Sequence, residues 1–483
     1  MARLRDALLS VAPLVPLLVA AALLPPQPHG DAGEYLQMLE SWRRHGSPEL
    51  RPEDRDALRV ELQRAGVTLD ERGYLPNFLA ARDGRLYCYH FWGYSLAGVP
   101  AYRALEALGG SPLRALPVTN AVLFALALVS VGRLPWSPGR RLWLAALLLF
   151  SPALGFLLWP HPEVFSFALV TTALALLAQG RRRAAIAAAS LSSLQNPPLL
   201  LLVGLLCADA LADARRRREW RPVGWAAVAA LPAAVPPLFF LHQFGVWNLS
   251  VRPSEAAASL SARRALDLAL DPNLGLLPHA PLTLVLAAAG GVWALARRRI
   301  LPAALAFVLV PALAYATTAN SNWNNDTSGP SRYVVWLLPL LAFLAVGEGG
   351  GDPRRPLGRV WAWALGLALA LQAAAVLARG GPLAPSDFLE HSWAARLTLD
   401  HWPSLYRPTP EVFVERTRHL EGPPDGPVIY RDRAGRCRKA YLQPRLVGLL
   451  LQTCGSPAPG EVERLREEAA RRETKRDWTF VDF

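Results

Sequence analysis

The sequence predicts an all-α polytopic membrane protein with a small α+β domain at its carboxyl end. Apolar residues make up 52% of the 483 and charged ones only 18%. Many apolar runs approach the roughly 17–25 residues that a helix needs to cross a hydrocarbon core. They are apolar on every side, where a soluble helix would keep one polar face. Between them the arginines sit in short clusters, the pattern of cytoplasmic loops.

The runs are Leu8–Leu24, Leu113–Gly132, Leu142–Trp159, Val164–Gln179, Val223–Phe244, Leu282–Ala296, Leu301–Thr318, Tyr333–Val346 and Val360–Leu377. Basic clusters fall at Arg3/Arg5, Arg133/Arg140/Arg141, Arg181–Arg183, Arg215–Arg218, Arg297–Arg299 and Arg354/Arg355/Arg359. They account for the net charge of +13 without a nucleic-acid partner. If they face the cytoplasm of a bacterial-type inner membrane, the amino terminus is inside. The long loop 25–112 and the tail then lie outside. Leu8–Leu24 reads as a retained anchor, since the run is long and no other segment replaces it; the alternative is a cleaved signal peptide, for which Ala20–Ala22 offers small residues. Ala184–Asp213 is flanked by two clusters and is too short for two full spans. It reads as a hairpin of two short helices turning at Gln195-Asn196-Pro197-Pro198, and such a turn has to line a cavity to satisfy its backbone. With the hairpin the count is about eleven membrane helices.

Two domains follow, a transmembrane one over 1–378 and an extracytoplasmic one over 379–483. The tail offers a strand at Val428–Tyr430 and a charged helical end from Glu461 to Asp477. Cys437 and Cys454 fall on the oxidising side, where a disulfide can form. Within the first loop, Glu34–His45 patterns as an amphipathic helix with Tyr35, Met38, Leu39 and Trp42 on one face. Pro52–Val67 patterns as a second, and such helices lie along a membrane surface. Phe91–Leu108 is apolar and either re-enters the outer leaflet or covers a cavity.

Ionisable residues gather where spans reach the outer side. Gly30-Asp31-Ala32-Gly33-Glu34-Tyr35 follows the first run. Asp31 and Glu34 have the spacing of a capping box, and either carboxylate can equally serve as a general base. His90 stands among aromatics in Tyr89–Tyr94. It is a packed surface histidine or a ligand for phosphate or acceptor. Trp159-Pro160-His161-Pro162-Glu163 turns between two runs, and ionisable groups at such a boundary usually face a cavity. Asn324 lies in Asn322–Asp326, and Arg332 opens the next run. Arg332 can snorkel to the interface or grip a pair of phosphate oxygens. Asn196 completes the set from the hairpin turn.

In order and spacing these motifs resemble the GT-C superfamily of integral membrane glycosyltransferases, the group of protein O-mannosyltransferases and the aminoarabinose transferase. The likeness covers roughly residues 1–350 and adds Asp271–Pro281 before a span. It implies a polyprenyl-phosphate sugar donor and a lipid, glycan or protein acceptor at the outer face. It also implies inverting transfer, with Asp31 as base or acceptor-positioning group and Glu163 as second carboxylate. Phosphate contacts fall to Arg332, His90 and His161, with Asn196 and Asn324 as further binding residues. Ala32 departs from the paired acids of many relatives, and Asn196 stands where many carry Arg. Two options remain for a cofactor: none, or magnesium or manganese on the carboxylates. The competing class is a transporter or flippase of lipid-linked sugars, which would place ionisable groups near mid-membrane and show repeats.

Overall fold

The computed structural model describes residues 14–28, 30–67, 78–249, 259–320, 322–324, 329–348, 356–384, 388–455, 460, 463 and 478–483. Arg3, Arg5, Arg354, Arg355, Asp326 and nearly all of Glu461–Asp477 lie outside these. The chain divides into two compact units. The first comprises 1–265, 279–320 and 332–384; the second comprises 266–278, 321–331 and 385–483. The sequence-based division near residue 378 therefore falls close to the main boundary. It misses two short segments, one before and one after the runs at 282–318, that also belong to the second unit.

In chain order the described helices begin with α1 (Leu14–Leu23), α2 (Ala32–His45) and α3 (Pro52–Arg64). A short antiparallel pair, β1 (Phe78–Ala80) and β2 (Leu86–Cys88), precedes α4 (Gly93–Ala107). Then come α5 (Pro112–Gly132), α6 (Pro138–Leu149), α7 (Glu163–Ala178) and α8 (Arg182–Ser193). They are followed by α9 (Pro197–Arg217) and α10 (Arg221–Phe244), and by α11 (Ala262–Leu270) and α12 (Pro281–Ala296). The set closes with α13 (Ile300–Thr317), α14 (Arg332–Gly347) and α15 (Pro356–Leu377). Each apolar run holds a helix over at least part of its described residues, but Leu142–Trp159 differs from expectation: its α-helix stops at Leu149 and a 3-10 turn over Pro152–Phe156 follows. Among the described residues five of them, α5, α9, α10, α13 and α15, are long and apolar enough to cross a membrane. Three more, α7, α12 and α14, are apolar but shorter.

Proline starts α5, α6, α9, α12 and α15, where the missing N–H costs nothing and the fixed φ suits the first turn. The hairpin differs from expectation in its second arm. The α9 helix does not stop short of Arg215–Arg217 but runs through them, because arginine is a good helix former. With that extension α9 is 21 residues long and reaches spanning length. Arg182 clamps its far end through Asp209 (2.9 Å) and Asp213 (2.6 Å).

Around α7 pack α5 and α8, and α12 packs on α14 and α15. Gly290 lets α12 approach α14 so closely that a Cβ there would stand 2.4 Å from the Leu344 carbonyl oxygen, a small-residue contact typical of helices in lipid. The first loop is not a surface appendage. Helix α2 is buried on all sides from Ala32 to Ser41, packed against α4, which in turn packs on α5. Expectation put α2 along the membrane plane with one apolar face. The loop folds over itself instead, because α3, Leu50, Tyr94 and Tyr102 close a second apolar cluster around α2. Gly46 ends α2 in a left-handed turn (φ 63°) that returns its N–H to Trp42.

In the second unit, helices α16 (Trp393–His401) and α17 (Pro410–Arg418) enclose a core with Tyr406, Val428 and Tyr430. A three-stranded antiparallel sheet runs in the order β3 (Val428–Arg431), β4 (Cys437–Leu442), β5 (Thr479–Asp482). Helix α18 (Val447–Cys454) ends at a disulfide from Cys454 to Cys437, with Cα atoms 5.7 Å apart. The pairing expected for the tail is present.

Candidate functional site

Four separated segments of the first unit bring their ionisable groups to one place. Asp31 and Glu34 come from the start of α2, His90 from the turn before α4, His161 and Glu163 from the turn into α7, and Arg332 from the opening of α14. Asp31 occupies the N-cap position of α2, yet its side chain makes no capping hydrogen bond there. Its backbone carbonyl accepts the first helical N–H instead. The carboxylate is thus not spent on the cap and turns to Arg332, whose Nη1 donates to Oδ2 at 2.9 Å. The same Nη1 lies 3.0 Å from His161 Nε2, and that ring nitrogen is 3.4 Å from Asp31. His161 Nδ1 faces Glu163 Oε1 at 3.4 Å. His90 Nε2 sits between two carboxylates, 3.3 Å from Asp31 and 3.4 Å from Glu34.

Aromatic rings fix the imidazoles. Tyr35 stacks on His90 (5.2 Å) and meets His161 edge-on (5.2 Å), while Trp159 stacks flat against His161 at 4.0 Å. Asn120 of α5 donates to the Trp159 carbonyl (3.1 Å) and accepts from Tyr94 (3.1 Å), which braces the turn into α7. Ser95 donates to the Tyr35 carbonyl and ties α4 to α2. At the hairpin turn, Gln195 donates to the Phe91 carbonyl and steadies the His90 loop.

The cluster is open on one side. Glu34, Glu163 and His161 are almost fully enclosed, whereas the Asp31 and His90 side chains are 19% and 16% exposed. A ligand therefore meets Asp31 and His90 first. Burial opposes ionisation of Asp31, but the Arg332 guanidinium and the two histidines outweigh it and hold the carboxyl well below its usual range. Burial likewise disfavours the charged form of His90, yet Asp31 and Glu34 together pull its imidazole above the usual value. Burial and the Glu34 charge push the Cys88 thiol up, and as a neutral group it donates to Glu34 Oε2 at 3.3 Å.

Oxygens of Asp31 and Glu34 and a nitrogen of His90 lie within 4.8 Å of one another, close enough to share one cation. His90 Nε2 is buried and, among the described residues, has no well-aligned hydrogen-bond partner, which leaves it available as a ligand. Two carboxylates and one imidazole suit manganese, and magnesium to a lesser degree.

Six of the eight residues singled out from sequence thus lie together. Asn196 and Asn324 do not join them by any contact described. Asn196 donates to Ser166 of α7 at 2.6 Å. Asn324 belongs to the second unit, where it donates to Glu415 (2.7 Å) and accepts from Arg416 (2.9 Å). Asp271 also lies in the second unit and accepts from the backbone of Asn273 and Leu274 and from Tyr406. Sequence reading quoted Tyr35, Trp159 and Tyr333 inside its motifs but gave them no role; the Tyr333 ring lies beside the Arg332 guanidinium, 5.3 Å from its carbon. No family model matches the chain, and no curated protein and no solved structure matches it either.

Proposed function

We propose that the protein is a membrane glycosyltransferase that moves a sugar from a polyprenyl-phosphate donor to an acceptor hydroxyl, with inversion. The observation that carries this reading is the Asp31–Arg332–His161 contact. It holds a carboxylate excused from its capping role, a guanidinium fit for a phosphate, and an imidazole between them, at one opening. On this reading about eleven helices cross the membrane, and the cluster opens at the outer face, reached by lipid-borne donor and acceptor alike.

Arg332 takes the donor phosphate, because its planar fork matches two phosphate oxygens. His90, held toward its cationic form, adds a second positive charge at the opening. As the bond from sugar to phosphate breaks, negative charge grows on the phosphate, and these groups stabilise it. The sugar passes through an oxocarbenium-like state. The acceptor hydroxyl attacks from the opposite side and gives its proton to Asp31. Glu163 and Glu34 hold the two imidazoles in orientation. A divalent cation on Asp31, Glu34 and a neutral His90 would take the place of the imidazolium charge and supply the positive charge for the departing phosphate in its stead.

The test is transfer by purified protein from a polyprenyl-phosphate sugar. The Asp31 side chain makes no capping bond to lose, but Asp31→Asn takes the carboxylate from Arg332, so the variant should fold with a lowered melting temperature. It should lower the transfer rate by roughly 100-fold or more. Normal transfer by that variant would remove Asp31 as base and with it the reading.

A further inference from the structure

The second unit carries a large cleft of its own, remote in composition from the cluster just described. Its volume is about 750 Å³, within the roughly 300–1,000 Å³ of small-molecule sites and roomy enough for more than one sugar ring. Its walls come from the segment before α16, from α16 and α17 themselves, and from β3 with the turn that follows.

The charges of the lining are unequal in availability. Its three acids are engaged within the unit. Asp432 accepts from Arg436 (2.8 Å) and from the backbone of Ala434 and Arg436. Asp400 accepts from Tyr430 (2.9 Å), and Glu390 pairs with His419 (3.1 Å). The guanidiniums are less committed. Arg396 is 45% exposed; it donates through Nη1 to the His391 carbonyl (2.6 Å), and its nearest carboxylate is 3.9 Å away. Arg431 and Arg433 are exposed on the strand end and turn, and Arg431 uses its fork on carbonyls rather than on an acid. Each keeps N–H donors for an incoming anion. His391 is pushed down to about 3 chiefly by burial, with the positive charges of Arg416, His419 and Arg396 adding to it. Trp393 lies on the same wall with 59% of its surface exposed. A large aromatic face left open beside arginines is costly to leave in water and offers an apolar platform for the flat side of a ring.

We propose that this cleft binds an anionic saccharide, a sugar bearing phosphate or carboxylate, through Arg396, Arg431 and Arg433 with a ring seated on Trp393. The inference stands on the cleft alone and survives failure of the glycosyltransferase reading.

The experiment is calorimetric titration of the full-length protein in detergent micelles with three probes: tetragalacturonate, a hexose 6-phosphate and neutral maltotetraose. At least one anionic probe should bind, and which one does distinguishes carboxylate from phosphate recognition. Maltotetraose should not bind measurably. Arg431→Glu with Arg433→Glu should weaken the anionic probe tenfold or more, and Trp393→Ala should weaken it while leaving inorganic phosphate binding as in the parent. These positions are exposed, so the melting temperature should hold. Binding of neither anionic probe overturns the proposal. Equal binding of maltotetraose, or anionic binding indifferent to both sets of substitutions, overturns it as well.

Discussion

A carboxylate pinned by a guanidinium is ionised but a weak base, and Asp31 is such a group. Its partner decides when it becomes a better one. A phosphate that takes Arg332 away from Asp31 removes the main attraction that depresses the carboxyl, so its basicity rises only once the donor is seated. In the resting state the sign is that of a depressed acid. The Arg332 pairing stabilises the fold above the ordinary carboxylate value of about 3.9 and is lost only as the pH falls through the lower folded value. Arg332→Lys keeps the charge but not the fork. We expect an intact fold and a donor KM raised by about tenfold, equivalent to ~1.4 kcal/mol of binding. Donor saturation curves check this, and an unchanged KM would leave Arg332 as an interfacial anchor. Six of the eight site residues were legible in the sequence for one physical reason: charged and imidazole groups at the ends of apolar helices are costly unless they face a cavity. Asparagine carries no such penalty, so Asn196 and Asn324 looked alike to the others yet satisfy partners outside the cluster, Ser166 and Glu415. Trp159 stacks on His161 within one turn, but the stacking of Tyr35 on His90 depends on segments far apart in sequence meeting in space. Spacing carries no trace of that.

At the scale of elements, the apolar period foretold where helices lie and misjudged how the first loop is used. A helix with one apolar stripe suits a membrane surface and the interior of a folded loop equally well, and only the packing of α4 and Tyr102 on α2 decides between them. The second unit hangs on a comparable contact. His391 precedes α16 and bridges Asn273 (3.2 Å) to Thr417 of α17 (3.0 Å). Burial and the charges of Arg416, His419 and Arg396 push it down to about 3, with Glu390 the nearby acid in the lining. In the unfolded chain the same imidazole titrates near 6.5. Between those values the unfolded chain binds a proton that the folded unit refuses, so stability falls as the pH drops from about 6.5 toward 3. Each pH unit across that window costs about 1.4 kcal/mol from this group at most. The His391→Gln variant lacks the titration and keeps hydrogen-bonding capacity. Its melting temperature should fall less than the parent's between pH 7 and pH 4, as followed by thermal unfolding with limited proteolysis of the carboxyl-terminal unit. Parallel curves for the two proteins would show that His391 is not the acid-sensitive group.

The whole molecule joins an apolar helical unit to a polar one. The clusters Arg181–Arg183 and Arg215–Arg218 fall at the ends of α7, α8 and α9 opposite to those next to His161 and Asn196, and Arg299 pairs with Glu348 (2.7 Å) at the end of α14 opposite to Arg332. The proposed orientation, with the cluster and the carboxyl terminus outside, rests on the bias of arginine toward the cytoplasmic side. The disulfide between Cys437 and Cys454 suits an oxidising compartment and is foreign to a reducing one. Both signals support the proposed side of the tail. A reporter that fluoresces only in the cytoplasm, fused after Phe483, should stay dark. A second fused within the loop after Arg217 should be bright, and an enzyme active only outside should give the reverse pattern at both positions. A bright carboxyl-terminal fusion would turn the molecule over, place Asp31 and Arg332 on the inner side, and remove the lipid-borne donor at the outer face from the proposal. The pair of fusions is needed because one silent reporter can fail for reasons of folding, whereas opposite signals at the two positions report only orientation.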